Sequence, residues 1–131
     1  MEEQSESPMS FRDLLLVAGG GAIGAIARYG ASAMCSGLFG DRFPWGTLLV
    51  NVVGCFLLGW LLSTSLATIS DPLKLALGTG FLGAFTTFST FGVQTLQAWQ
   101  RSPLLAIANV GTNLIIGLAA AALGIYIATK Q

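Results

Sequence analysis

Gly80-Phe-Leu-Gly-Ala-Phe-Thr-Thr-Phe-Ser-Thr-Phe-Gly92 lies inside a long apolar run, yet it carries hydroxyls at Thr86, Thr87, Ser89 and Thr90 and glycines at 80, 83 and 92. Four hydroxyls so close together cannot share one face of a helix turning by about 100° per residue. A single lipid-facing or core-facing role therefore does not account for them. Either something polar passes this segment or the helix breaks in it. Irregular backbone at membrane depth is tolerated only where it is buried in protein or lines a cavity. Gly78, Gly80 and Gly83 place the expected break near 80–83. On an unbroken wheel Phe81, Phe85, Phe88 and Phe91 fall on one broad face and Thr79, Thr86, Thr87, Thr90 and Gln94 on the opposite one.

Outward from this stretch the chain reads as membrane scaffold. Of 131 residues, 53% are hydrophobic and only 9% charged, against about 25% charged in an average soluble domain. Six basic and six acidic residues without histidine give no clustered basic footprint, so no nucleic-acid partner is expected. Residues 1–10 are polar and acidic and read as a mobile tail. Residues 11–131 form one domain of four spans: Leu14 to about Met34, Gly46 to about Leu66, Leu73 to Trp99 and Leu104 to about Ala128. Each has the roughly 20 residues needed to cross about 30 Å of hydrocarbon. Gly20-x-x-x-Gly24 in the first span is a close-packing face, and Ser70-Asp71-Pro72 is a turn opening a helix. Cys35 and Cys55 are too few and too far apart for a ligand cluster.

The fold class is thus an all-α membrane protein of four transmembrane helices, the third broken near its middle. With four spans both termini lie on one side. Arg12, Lys74 and Lys130 then face one compartment and Arg28, Arg42 and Arg101 the other. Because loop Lys and Arg set orientation, this balance predicts insertion both ways and an antiparallel dual-topology homodimer with its two-fold axis in the membrane plane.

Every carboxylate lies outside or at the edge of a span. A proton-coupled exporter needs an ionisable group within the membrane, and no nucleophile with a base or phosphate-binding loop is visible, so no enzyme is expected. What the spans contain is neutral donors: Thr47, Asn51, Thr86, Thr87, Ser89, Thr90, Gln94, Thr112 and Asn113. Such groups replace water around a small anion without trapping it as a fixed charge would, and phenylalanine rims add partial positive charge. Asn51 reads either as interhelical glue or as a donor lining a polar path. Arg28 reads either as a snorkelling cation or as an anion-attracting one. Asn109 and Asn113, one turn apart, share a face.

Three segments carry a resemblance: Gly80 to Phe91 with its Thr-Thr-Phe-Ser-Thr-Phe hexapeptide, Pro44-Trp-Gly-Thr-Leu-Leu-Val-Asn51 with Gly54 following, and Gly24-Ala-Ile-Ala-Arg28. Over essentially all of Ser10 to Lys130 the chain resembles the small fluoride channels of the Fluc family, also called CrcB proteins. The resemblance implies a multi-pass channel of the cell's inner (plasma) membrane, embedded in lipid. It would export cytoplasmic fluoride passively as an antiparallel homodimer with two pores and a central structural sodium ion. It also implies that the Gly83 and Thr86 backbone carbonyls of both subunits hold the sodium. Phe88, Phe91, Asn51 and Thr47 would line the fluoride pore, with Thr87, Ser89, Thr90, Gln94, Thr112 and Asn113 as further candidates, and Arg28 would serve the vestibule. Two positions depart from the family pattern: Gln94 stands where a glutamate is common, and Ala84 replaces the second glycine of a Gly-Gly pair. A dual-topology small multidrug exporter and a non-transporting membrane assembly protein are the rival readings.

Overall fold

The computed structural model describes residues 9–64 and 69–130. Most of the acidic tail, and Ser65 and Leu66 at the expected end of the second span, lie outside the described residues. Every regular element among the described residues is helical.

Helix α1, Phe11–Phe39, is longer at both ends than its apolar run. Ser10 caps it: Ser10 Oγ accepts from Asp13 N at 3.1 Å and Asp13 Oδ2 accepts from Ser10 N at 3.3 Å, a reciprocal capping box that satisfies two orphan donors. It stops at Gly40, whose φ of 74° suits glycine and whose N–H closes on Ser36 O. Phe39 and Phe43 then pack on Trp45, with ring centroids 5.8 and 4.7 Å away. Helix α2, Trp45–Ser63, follows at once.

The third span expected from the sequence is assembled from pieces: α3, Asp71–Lys74, then a π-helical stretch Leu75–Leu82, then α4, Gly83–Phe85. Thr86 and Thr87 are extended, and α5, Phe88–Arg101, resumes the path. Helix α6, Pro103–Thr129, completes the chain. Three helices, α1, α2 and α6, are long and apolar enough by themselves to cross a membrane. The 14 residues of α5 rise only about 21 Å, so the third crossing needs both of its halves.

The break falls at Thr86–Thr87, not at Gly80–Gly83. Gly83 keeps ordinary helical angles, φ −61° and ψ −35°, and Gly80 lies within the π-helical stretch. These glycines serve close approach: a Cβ on Gly80 would meet Val17 O at 2.9 Å. Reciprocally, Gly20 and Gly24 are where α1 lies against the Ala76 and Phe81 carbonyls. The break also divides the phenylalanine face expected of a continuous helix. Phe81 stacks on Phe85 at 5.5 Å on one side of it, and Phe88 meets Phe91 at 5.7 Å on the other.

Helix α2 packs most extensively on α6, and α1 on the π-helical stretch. Little of the chain is sealed: Val50 and Asn109 are the largest side chains with essentially no exposure. Large apolar side chains such as Ile23, Ile26, Ile115 and Leu118 face outward, as lipid contact requires.

Candidate functional site: the helix break and its polar column

The break is made by two diverted hydrogen bonds. In an unbroken helix the Thr87 N–H would close on the Gly83 carbonyl and the Thr90 N–H on the Thr86 carbonyl. Instead Thr87 N donates to Asn51 Oδ1 at 2.9 Å, and Thr90 N donates to Thr87 Oγ1 at 3.2 Å. Thr87 thereby becomes the side-chain N-cap of α5. The carbonyls of Gly83 and Thr86 are the acceptors left without those helical donors. The first half-helix ends in freed carbonyls, the negative end of its dipole, and the second begins in N–H groups without helical acceptors, the positive end. One break therefore offers a cation its oxygen side and an anion its N–H side.

Around it runs a carboxamide ladder. Asn51 Nδ2 donates to Thr87 O and to Asn113 Oδ1, each at 3.1 Å. Asn113 Nδ2 donates to Asn109 O at 2.9 Å and Asn109 Oδ1 at 3.0 Å. Asn109, 0% exposed, donates to Thr95 Oγ1 at 2.9 Å, which donates to Phe91 O at 2.7 Å. Every amide orientation in this series is determined by its neighbour.

One turn away along α2, Thr47, 4% exposed, donates to Gln94 Oε1 at 2.6 Å. Thr47 and Asn51 share a face of α2, as Thr87, Phe91 and Gln94 share one of α5. The Thr47–Gln94 pair lies at the wall of a mouth cavity of about 420 Å³ that also meets Arg42, Arg101, Ser36 and Trp45. Arg101 Nη1 donates to Asp41 O at 3.3 Å, and Ser36 Oγ donates to Asp41 Oδ1, pinning the rim. On the other side, Asn51, Thr87, Phe88, Phe91 and Asn113 line an open cleft of about 330 Å³ together with Gly83 and Thr86. Phe88 is 83% exposed there.

The structure thus gathers Thr47, Asn51, Thr87, Phe88, Phe91, Gln94 and Asn113 along facing surfaces of α2, α5 and α6, with Gly83 and Thr86 at their end. Others stand apart. Ser89 and Thr90 are exposed on the first turn of α5 and line neither cavity. Thr112 Oγ1 donates back to Ala108 O at 2.7 Å within α6. Arg28 is half-buried on α1 and lines neither cavity; Arg42 and Arg101 are the arginines of the mouth. Asn109 and Thr95 were not among the sequence candidates. The spacing of Asn109 and Asn113 was the available signal, and Thr95, one residue beyond Gln94, carried none.

Comparison with known proteins follows the same outline. The model of the CrcB-like protein family, Camphor Resistance (CrcB), matches residues 15–125. A protein named fluoride-specific ion channel FluC from Dehalococcoides mccartyi is 44% identical over 118 residues, covering 88% of this chain and 91% of the relative. Proteins of the same name from Shewanella amazonensis and Vibrio cholerae are 46% and 45% identical, covering 86% and 90% of this chain and 92% and 96% of theirs. The matched region runs from within α1 to within α6 and contains the break and both cavities, and the chain belongs to the CrcB family.

Proposed function

We propose that this chain is a fluoride channel, passing the anion down its electrochemical gradient and so protecting the cell from fluoride accumulation. The observation that carries this reading is the column of neutral polar side chains running from the mouth to the break, in a chain whose near relatives are named for fluoride. Hydrogen fluoride crosses a bilayer uncharged and dissociates inside, so a passive exit for the anion suffices. The arginines of the mouth raise the local anion concentration. At the wall Thr47 holds Gln94 by its Oε1, which leaves the Nε2 hydrogens as donors; a carboxylate there would offer only acceptors and a repelling charge. Deeper in, the rims of Phe91 and Phe88 and the N-terminal N–H groups of α5 meet the anion with partial positive charge. Beyond the mouth arginines none of these groups is a fixed charge, so the ion can leave as readily as it enters. The same column lacks the intramembrane carboxylate on which proton-coupled export depends.

The working unit in this reading is an antiparallel dual-topology homodimer in the inner membrane. The balanced Lys and Arg distribution supports insertion both ways. An 83%-exposed Phe88 beside an open cleft supports a second copy covering that side. A structural sodium ion fits the break: the Gly83 and Thr86 carbonyls are neutral hard oxygens released from helical bonding, the donor type that half-helix ends offer such cations. Sodium bound there would neutralise the converging carbonyl dipoles of two copies.

Expressed in a bacterium deprived of its own fluoride exit route, the chain should restore growth at fluoride concentrations that arrest the parent strain. Arrest at the same concentration, with the protein present in the membrane, would contradict the proposal.

A further inference from the structure

Asn51 engages both of its amide hydrogens and its oxygen with protein partners. Its carboxamide accepts from Thr87 N–H and donates to Thr87 C=O. An extended residue presents both groups on one side, and Thr87, at φ −151° and ψ 121°, does so. The side chain therefore pairs with Thr87 as a neighbouring strand would. Its second amide hydrogen goes to Asn113 Oδ1. Turning the amide over would set its oxygen against the Thr87 and Asn113 oxygens and its hydrogens against the Thr87 N–H. The bracing continues through Asn113 to Asn109, which is fully buried.

The Thr87 N–H that Asn51 captures is the one that would otherwise occupy the Gly83 carbonyl. We infer that Asn51 is a positioning residue: a clamp that holds Thr87 extended and so keeps the Gly83 carbonyl free for the cation. Asn113 and Asn109 keep the clamp in its one working orientation. The inference rests on the reading of the break as a sodium site, and it separates that site from the anion path although Asn51 borders both. An apolar side chain of similar size at 51 lets Thr87 N–H close on Gly83, and cation binding then competes with one backbone hydrogen bond.

The test uses purified full-length protein and its Asn51→Leu and Asn113→Leu variants, with two readouts. One is the sodium concentration at which thermal unfolding is half-shifted to its sodium-saturated midpoint, since a ligand of the folded state raises that midpoint. The other is fluoride efflux from liposomes at saturating sodium. Asn51→Leu should raise the half-shift sodium concentration by about tenfold, the equivalent of one well-made hydrogen bond, and Asn113→Leu by a smaller factor. A wild-type sodium requirement in Asn51→Leu together with lost efflux would overturn the clamp and make Asn51 an anion donor. If Asn51→Leu fails to fold, Asn113→Leu decides, and an unchanged sodium requirement there overturns the proposal. A wild-type protein whose unfolding ignores sodium would remove the cation site itself, and with it this role for Asn51, whether or not fluoride flows.

Discussion

Gly24→Val should severely destabilise the fold. A Cβ on Gly24 would fall on the Phe81 carbonyl oxygen, with the carbonyl carbon at 3.0 Å; one on Gly20 would fall on the Ala76 carbonyl oxygen. Both obstacles are backbone, so no change of rotamer relieves them. Overpacking a tight contact costs about 1–3 kcal/mol and occasionally more, and a β-branched side chain facing a carbonyl stands at the upper end. Moreover, α1 packs on the π-helical stretch and α4, and those elements lead into Thr86. Forcing α1 away therefore shifts the break. Gly30 is the control, because a Cβ there meets nothing within 4 Å. In detergent, Gly30→Val should elute and unfold as the parent protein does, whereas Gly24→Val should aggregate or unfold many degrees lower. Parent-like behaviour of Gly24→Val would mean that α1 does not lie against the third crossing as described.

Phe88→Ile should abolish most transport while leaving assembly intact. Phe88 sits on the first turn of α5, 83% exposed, with its ring 5.7 Å from that of Phe91. Isoleucine keeps the apolar bulk that a second copy would cover but has no ring rim with partial positive charge. Losing one such contact along the anion path corresponds to a fall of roughly tenfold in fluoride efflux. Size-exclusion behaviour should not change. Loss of the oligomer instead of the flux would identify the aromatic pair as helix glue and favour a non-transporting assembly role.

The crossings were legible because hydropathy, length and end signals agree: Pro44 before α2, Asp71-Pro72 at α3 and Pro103 at α6 each stand at a helix start. The ends of α1 were underestimated. Ser10 looks like tail and Asp13 like the polar edge of the first span until they are seen to cap each other, and Gly37 to Phe39 look like loop although the chain turns only at Gly40. The existence of a break was legible in a hydroxyl-rich segment at membrane depth, but its position was not. Glycine suggested 80–83, whereas the decisive donor competition comes from Asn51, 36 residues away in sequence. A helical wheel drawn through Thr86 and Thr87 consequently joined two phenylalanine pairs that the break separates. Thr47 and Gln94 were both candidates, yet their direct bond across 47 residues has no local signature. The mouth arginines were equally hidden. Arg42 and Arg101 looked like ordinary loop charges, while Arg28, more conspicuous because it interrupts an apolar run, lines neither cavity.

The channel reading meets its most direct test in liposomes loaded with equal fluoride and chloride, carrying the purified chain and given a potassium ionophore to supply the compensating current, with both anions followed by selective electrodes. Rapid fluoride release with chloride retained is the predicted result. Equal release of the two anions would contradict the selectivity assigned to the donor column, and retention of both would contradict the channel itself.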